Sequence, residues 1–263
     1  MRVIDGHVHL SGKASVADIE AFIERGSLEG LLLISRLTTG EGSAVRRYVE
    51  ELAELKARLP DRIYAFAHID PTYEEAPKVL EWAVRECGIV GLKMLPANFH
   101  PADERARDLY GLCGELGIPI LMHVGILWLP GSNANNCRPG NMEVLWDFPK
   151  IRFAMAHVGW PWTDECIAVA QKFKQMRPEL DQAFVDLTPG TPPSYRPDVL
   201  AKCLENVGAG QMIYGSDRMI PTRPSPENLW RGDREIFDRL GVTEEDQQKI
   251  FADNLLRFLG CGL

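Results

Sequence analysis

Two histidines stand two positions apart near the start of the chain, at the end of an apolar segment. They are His7 and His9, within Val3–Leu10. If this segment is a β-strand, its side chains alternate between two faces, so both imidazoles point the same way. Two residues of strand rise separate them by about 6–7 Å, which lets both rings converge on one metal ion. Alone, the pair does not distinguish a metal site from two polar residues ending a strand.

Further polar side chains end or follow apolar runs later in the chain, namely Lys93, His123, His157 and Asp217. A buried strand end is unfavourable for such groups, because desolvation without a hydrogen-bonding partner costs free energy. A metal ion would serve as one partner for all of them. Imidazole nitrogen and carboxylate oxygen suit Zn²⁺ best, and Fe, Mn and Ni are also compatible. The sequence therefore predicts a divalent-metal site, with zinc as the favoured ion.

Such a site would support attack of water on a carbonyl group. A metal with an open coordination position lowers the pKa of a bound water towards neutrality and polarises a carbonyl oxygen. A carboxylate beside the water can accept its proton, and Asp217 is the residue we expect in that role. The predicted chemistry is therefore metal-assisted hydrolysis.

The elements that carry these residues repeat regularly along the chain. Short apolar strands alternate with helical segments such as Ser15–Arg25, and the last two helical segments are 225–240 and 243–259. Repeated β–α units require a parallel sheet, and eight of them in about 260 residues favour a closed (β/α)8 TIM barrel. We predict one barrel domain over residues 1–263, with its active site at the carboxyl ends of the strands. The predicted strands are Val3–Leu10, Gly30–Ile34, Arg62–Asp70, Ile89–Leu95, Pro119–Gly125, Ile151–Gly159, Ala183–Leu187 and Gln211–Asp217.

Composition narrows the class of partner. The 263 residues are 45% hydrophobic with a net charge of −8, which disfavours nucleic acid or an acidic membrane surface as the main partner. No apolar run approaches the roughly 20 residues of a membrane helix. Six separate cysteines, no C-x-x-C pair and no signal-like start predict a cytoplasmic protein with reduced thiols. We expect a small-molecule substrate. The oligomeric state stays open, since the last two helices would either pack on the barrel or form a homo-oligomer interface.

Several short motifs resemble the amidohydrolase superfamily, and most closely its amidohydrolase-2 branch. The resemblance spans nearly the whole chain and keeps the order of the motifs. It implies a metal-dependent (β/α)8 barrel with His7, His9, His123, His157 and Asp217 around the metal site. The motifs are Asp5-Gly6-His7-Val8-His9, Gly91-Leu92-Lys93, Met122-His123, Ala156-His157-Val158-Gly159 and Gly215-Ser216-Asp217, supported by Arg138-Pro139, Phe148-Pro149 and Gly159-Trp160-Pro161-Trp162.

The resemblance leaves the number of metal ions open. In two-metal members of the superfamily, a lysine at the end of strand four is carboxylated and bridges the ions. The resemblance implies this role for Lys93. His7, His9 and Asp217 would then hold one ion, and His123 and His157 the other. In one-metal members His157 contacts substrate or water, and an unmodified Lys93 binds a substrate carboxylate. We favour two ions, because every ligand they need is present.

The resemblance also leaves the reaction open. Its members hydrolyse amides, esters and lactones, and others catalyse non-oxidative decarboxylation or hydration. We predict a hydrolase in which Asp217 passes the proton to the leaving group and His157 takes part in catalysis. The alternative is a decarboxylase of a small aromatic or unsaturated acid, in which a protonated Asp or His delivers a proton to carbon. A barrel that binds a ligand without catalysis is a third hypothesis.

Substrate recognition is expected from the loops after the strands. We assign it to Asn98, Arg138, Trp160 and Arg218, with Arg223 nearby. Arginines near a dication suggest an anionic substrate, although the same arginines could pair with acidic helix residues. We expect His68 and His100 to have no role in the site. We expect Asp186 to cap a loop rather than to support the metal site.

Overall fold

The computed structural model describes residues 1–37, 42–221 and 229–261. Within these ranges parallel strands form one sheet in the order β8-β7-β6-β5-β4-β3-β2-β1-β9. Arg223 and the predicted start of a helix at Ser225 lie outside the described residues. The strands are β1 (Ile4–Leu10), β2 (Gly30–Ile34), β3 (Ile63–His68), β4 (Gly91–Met94), β5 (Ile120–Met122), β6 (Phe153–Met155), β7 (Ala183–Asp186), β8 (Met212–Ile213) and β9 (Arg218–Ile220).

The two edges of the sheet are joined by one segment of chain. β8 pairs with β7 and β9 pairs with β1, so 212–220 serves as the eighth strand of a closed (β/α)8 barrel. Between them, Gly6 N–H donates to the carbonyl of Tyr214 (3.0 Å) and Asp217 N–H donates to the carbonyl of His7 (2.8 Å). The predicted TIM barrel is confirmed. The predicted single strand Gln211–Asp217 is interrupted: strand pairing ends at Ile213 and resumes at Arg218, directly after Asp217, whose backbone is left-handed with φ 53°.

Helices follow the strands around the outside of the barrel. Local sequence explains their ends: Ser15 caps α1 in a capping box with Asp18, and Gly117 ends α4 in a left-handed conformation. The helices are α1 (Val16–Gly26), α2 (Gly42–Arg58), α3 (Ala76–Cys87), α4 (Glu104–Leu116), α5 (Thr163–Met176), α6 (Arg196–Asn206), α7 (Trp230–Arg239), α8 (Glu244–Gln248) and α9 (Asn254–Leu259), with a π-helical turn at Lys249–Asp253 and short 3₁₀ turns at Ala134–Cys137, Pro139–Asp147, Ala156–Gly159, Pro178–Leu180 and Ala209–Gln211.

The barrel interior is closed at its amino-terminal end by α9. Leu255 and Phe258 of this helix join the inner apolar cluster that includes Phe66 and Phe184 of the strands. Arg152, just before β6, donates a hydrogen bond of 2.7 Å to the Phe258 carbonyl. The C-terminal helices therefore pack on the barrel, and its polar residues gather at the other end. Within the described ranges, no helix has the length and apolar character that a membrane span requires.

Candidate metal centre and active-site cavity

The carboxyl ends of the strands bring the predicted polar residues into one buried cluster. β1 carries His7 and His9, β4 carries Lys93, and His123 directly follows β5. His157 lies just past β6, in a 3₁₀ turn rather than in the predicted longer strand, with φ 61°. Asp217 completes the cluster from the break in the eighth strand. The four histidines and Lys93 are buried, and Asp217 is partly buried.

The first half of the cluster is a group of three potential ligands. The Nε2 atoms of His7 and His9 lie 3.0 Å apart, closer than the strand rise alone predicts, and their ring centroids are 4.9 Å apart. Oδ1 of Asp217 lies 3.3 Å from Nε2 of His9 and 3.6 Å from Nε2 of His7. One ligand atom from each of the three residues lies within 4.8 Å of the others. Two imidazoles and a carboxylate in this arrangement match the donor set of a zinc-type site.

A hydrogen bond at Nδ1 of His7 leaves the lone pair of Nε2 free to bind a metal together with His9 and Asp217. Nδ1 of His7 lies 2.6 Å from Oδ2 of Asp186, the last residue of β7. Burial raises the pKa of Asp186 to about 6, so the carboxylate is ionised at neutral pH and accepts the hydrogen bond from Nδ1. Nε2 of a neutral His7 is then unprotonated, as a metal ligand must be.

The second half of the cluster is the pair His123 and His157. Nε2 of His157 lies 3.2 Å from Nδ1 of His123, and Oγ1 of Thr188 lies 2.8 Å from Nδ1 of His157. Oδ2 of Asp217 lies 4.0 Å from Nδ1 of His157. The two oxygens of Asp217 therefore face different halves of the cluster, which places this carboxylate between the two histidine pairs.

Two buried nitrogen atoms in the cluster lack a partner among the residues that the structure describes. They are Nδ1 of His9 and Nε2 of His123. They are not the ring nitrogens that approach the other ligands, since Nε2 of His9 lies 3.0 Å from Nε2 of His7 and Nδ1 of His123 lies 3.2 Å from Nε2 of His157. The fit to a divalent ion therefore rests on the donor types and on the close approach of the ligand atoms. The residues present therefore fit the metal that the sequence predicts.

The electrostatics keep the ligands in their metal-binding forms. Burial lowers the pKa of His7, His9, His123 and His157, so these imidazoles are neutral at pH 7. Burial acts to raise the pKa of Asp217, but its hydrogen bond with His9 and the neighbouring histidines together lower it well below the usual range. Neutral imidazoles and an ionised carboxylate are the forms that bind zinc.

The amine of Lys93 lies at the same centre, and it is a weaker base than the amine of an exposed lysine. The side chain is 1% exposed, and Nζ lies 3.2 Å from Nε2 of His7. Burial lowers the pKa of Lys93 to about 8, against the attraction of Asp217 and Asp186. A larger fraction of this amine is uncharged near neutral pH than of an exposed lysine. Such an amine can either react with CO₂ or carry a positive charge towards a bound anion.

A cavity of about 380 Å³ opens over the cluster. Its floor is formed by His9, Lys93, His123, His157 and Asp217. Its walls are largely apolar and include Leu95, Ile126, Leu127 and Trp160. Of the residues that line it in the described part of the chain, none is an arginine.

The structure places the predicted substrate residues in different environments. Trp160 lines the cavity and packs against Tyr195 with ring centroids 5.0 Å apart. Asn98 is exposed, and Arg218 is exposed on β9; neither belongs to the described lining. Arg138 pairs with Glu165 and lies over the Trp162 ring at 4.8 Å. The expectation of an anionic substrate therefore loses the support of Arg138 and Arg218.

Two carboxylates outside the predicted ligand set, Asp186 and Asp5, help to hold the ligands in place. The predicted loop capping by Asp186 is confirmed, since its Oδ1 accepts a hydrogen bond of 2.7 Å from Thr188 N–H, but the same side chain also contacts His7 directly. Its position at a strand end was the same signal that identified Asp217. Asp5 was overlooked; it accepts hydrogen bonds from the N–H groups of His7 (3.2 Å) and Ser216 (2.9 Å) and so ties β1 to the segment before Asp217. His68, which received no role, is buried beside Lys93 in the β3–β4 ladder, and burial lowers its pKa to about 3.

Comparisons with solved structures extend over almost the whole chain. The probable 2-pyrone-4,6-dicarboxylic acid hydrolase of Acinetobacter baumannii, with citric acid bound, is 14% identical with a TM-score of 0.68, covering 99% of this chain and 100% of its own. The 5-carboxyvanillate decarboxylase of Novosphingobium aromaticivorans, with bound manganese, is 11% identical with a TM-score of 0.72, covering 98% and 97%. An amidohydrolase of Burkholderia multivorans with bound zinc is 14% identical with a TM-score of 0.66, covering 99% of both chains. At these identities the comparisons show the shared barrel fold.

Sequence comparison gives the family. No curated protein sequence matches this chain at a significant level. The family model described as Amidohydrolase matches residues 4–261, which include every strand of the barrel and all six residues of the cluster. The chain therefore belongs to this amidohydrolase family.

Proposed function

We propose that the protein is a metal-dependent hydrolase that cleaves an ester, lactone or amide of a small molecule. The observation that carries this proposal is the convergence of His7, His9 and Asp217, whose ligand atoms lie within 4.8 Å of one another on the floor of a cavity. When bound there, a divalent ion would supply an activated water and would polarise the substrate carbonyl. Zinc is the ion we favour, since its preferred ligands are the ones present.

The side chains have separate tasks in this proposal. Asp217 accepts the proton of the attacking water and passes it to the leaving group, because its carboxylate is ionised and lies between both histidine pairs. His157 orients substrate or water, and its ring is held in place by Thr188, whose Oγ1 lies 2.8 Å from Nδ1 of His157. His7 and His9 hold the ion, and Asp186 fixes the orientation of the His7 ring.

We further propose that the centre holds two ions. His7 and His9 with Asp217 form one potential site, and His123 with His157 forms an adjoining one. Lys93 lies against His7, and its lowered pKa favours carboxylation. A carboxylated Lys93 would add negative charge to balance two dications.

The second candidate reaction is decarboxylation of a small aromatic or unsaturated acid. The apolar walls of the cavity, with Trp160 among them, suit a planar ring placed over the cluster. In that case a protonated Asp or His would deliver a proton to the ring carbon, whereas the ionised Asp217 and the neutral histidines of the cluster favour hydrolysis.

An activity panel on protein stripped of metal and then reloaded with zinc or manganese tests the proposal. The panel contains an uncharged lactone, an aryl ester, an anilide and an aryl carboxylate, with acid release and CO₂ release followed separately. We expect metal-dependent hydrolysis, and a fall of about 10²–10⁴-fold for Asp217→Asn. Asp198→Asn, on the exposed face of α6, is the control and should keep full activity. CO₂ release without hydrolysis would establish the alternative instead.

A further inference from the structure

Exposed apolar side chains concentrate at the mouth of the active-site cavity. Leu37, Trp128, Leu129 and Met219 line the cavity and are also among the large apolar residues that remain exposed, and we call these four the apolar collar. Trp128 is 91% exposed. Exposed apolar side chains grouped around a concave site mark a binding surface rather than ordinary surface composition.

Polar groups occur at the bottom of the cavity and become sparse towards its mouth. The floor holds the metal-binding side chains and Lys93. Above it lie Leu95, Ile126, Leu127 and Trp160, and beyond them the apolar collar. Among the described lining residues, Lys93 is the one lysine or arginine, and its amine lies beside His7 at the centre itself. Within the described part of the lining, a molecule in this cavity therefore meets charge at one end only.

We propose that the substrate is an ester, lactone or amide whose body is an uncharged alkyl or aryl group, held by the apolar collar. This inference rests on the proposed function, which places the reacting carbonyl at the cavity floor. A second carboxylate on the body would lie against apolar walls that offer no cationic partner among the described residues, and burial of an unpaired charge is strongly unfavourable. The cavity thus selects against dicarboxylic substrates.

Equilibrium binding to the zinc-loaded protein tests this assignment with simple probes. Calorimetry with acetate, butyrate and hexanoate should show affinity rising about fourfold for each buried methylene. Benzoate should bind about a hundredfold more tightly than benzene-1,3-dicarboxylate, which carries an additional charge. Affinity independent of chain length, equal or tighter binding of the dicarboxylate, or no binding of any probe would each overturn the inference.

A charge placed in the collar should change this preference in a predictable direction. Met219 is 48% exposed, so Met219→Lys adds a cation at the mouth without burying it. We expect the ratio of dicarboxylate to benzoate affinity to rise about threefold to fivefold, the size of an exposed ion pair. Leu129→Lys should act in the same direction and serves if Met219→Lys folds poorly. An unchanged ratio in folded variants of both kinds would overturn the inference.

The chain offers a matched control for this substitution. Met176 is 68% exposed at the end of α5, and α5 runs from the carboxyl end of β6 to the amino end of β7. Met176→Lys therefore adds the same charge at the far end of the barrel, and we expect wild-type affinities for all probes. A shift equal to that of Met219→Lys would show an effect of net charge and overturn the assignment.

Turnover separates this inference from the function on which it rests. Hydrolysis of a dicarboxylic lactone at least as efficient as that of its uncharged alkyl analogue overturns the inference and leaves the hydrolase proposal standing. Absence of metal-dependent hydrolysis, with the chain-length dependence of binding preserved, overturns the hydrolase proposal and leaves the apolar assignment of the cavity standing.

Discussion

The carboxylate of Asp186 accepts a hydrogen bond of 2.6 Å from Nδ1 of His7, across the barrel from β7 to β1. Both residues are buried, and the same carboxylate accepts a hydrogen bond of 2.7 Å from the N–H of Thr188. The Asp186 side chain is therefore fixed before it orients the imidazole. A carboxylate behind a ligating histidine sets the tautomer and increases the basicity of the nitrogen that binds the metal.

Asp186→Asn should weaken metal binding although Asp186 is not among the predicted ligands. We expect a loss of about 10–100-fold in zinc affinity, because an amide can turn its NH₂ group to Nδ1 and favour the wrong tautomer. Competition with a chromophoric chelator measures the affinity. Asp198→Asn is the control for the charge change. Wild-type zinc affinity in Asp186→Asn would show that the hydrogen bond to His7 has no part in the centre.

Thr188→Val should affect turnover more than metal content. The substitution keeps the shape of the side chain and removes the hydroxyl that lies 2.8 Å from Nδ1 of His157. Loss of one such hydrogen bond costs about 1 kcal/mol, so we expect kcat to fall about fivefold. Thr188→Ser retains the hydroxyl and should recover most of the rate. Equal rates for the valine and serine variants would argue against an orienting role.

Carboxylation of Lys93 should determine whether the centre binds one ion or two, and the extent of carboxylation should depend on pH. The Lys93 pKa of about 8 means that raising the pH from 7 to 9 increases the uncharged amine that reacts with CO₂. Protein equilibrated with ¹³C-bicarbonate and zinc should therefore show a carbamate carbon signal that grows over this range. Lys93→Met should lack the signal and bind one ion fewer. A wild-type protein without the signal, binding a single ion, would support the one-metal arrangement.

Gly91 is required by the packing of the barrel interior beside the centre. A Cβ atom at Gly91 would lie 2.1 Å from the ring of Phe66, which is fully buried. Gly91→Ala should lower the free energy of unfolding by about 1–3 kcal/mol through overpacking. Gly111→Ala is the matched control: it lies within α4 with open space around it, and should stabilise the protein by about 0.5–1 kcal/mol. Denaturant unfolding compares the two, and equal destabilisation would contradict this reason.

Periodic patterns of apolar residues in the sequence account for the parts of the fold and of the site that could be predicted. Apolar runs at regular spacing determine the strands, and the rule that parallel strands end together brings His7, His123 and Asp217 to one place. Pairings between distant segments could not be predicted in this way. Arg138 is predicted to bind substrate, and its ion pair with Glu165, 27 residues further along the chain, leaves no local pattern in the sequence. The interruption in the eighth strand was also missed, because it depends on a left-handed residue that is not a glycine.

Metal content measured by elemental analysis tests most directly whether the histidine–aspartate cluster binds a divalent metal ion. Protein purified without chelators should contain about one or two equivalents of zinc or a similar ion per chain. His7→Ala should lose at least one of them, whereas His100→Ala, which removes an exposed histidine outside the cavity lining, should keep the wild-type content. A wild-type protein that contains no divalent metal, and gains none on incubation with zinc or manganese, would contradict the account.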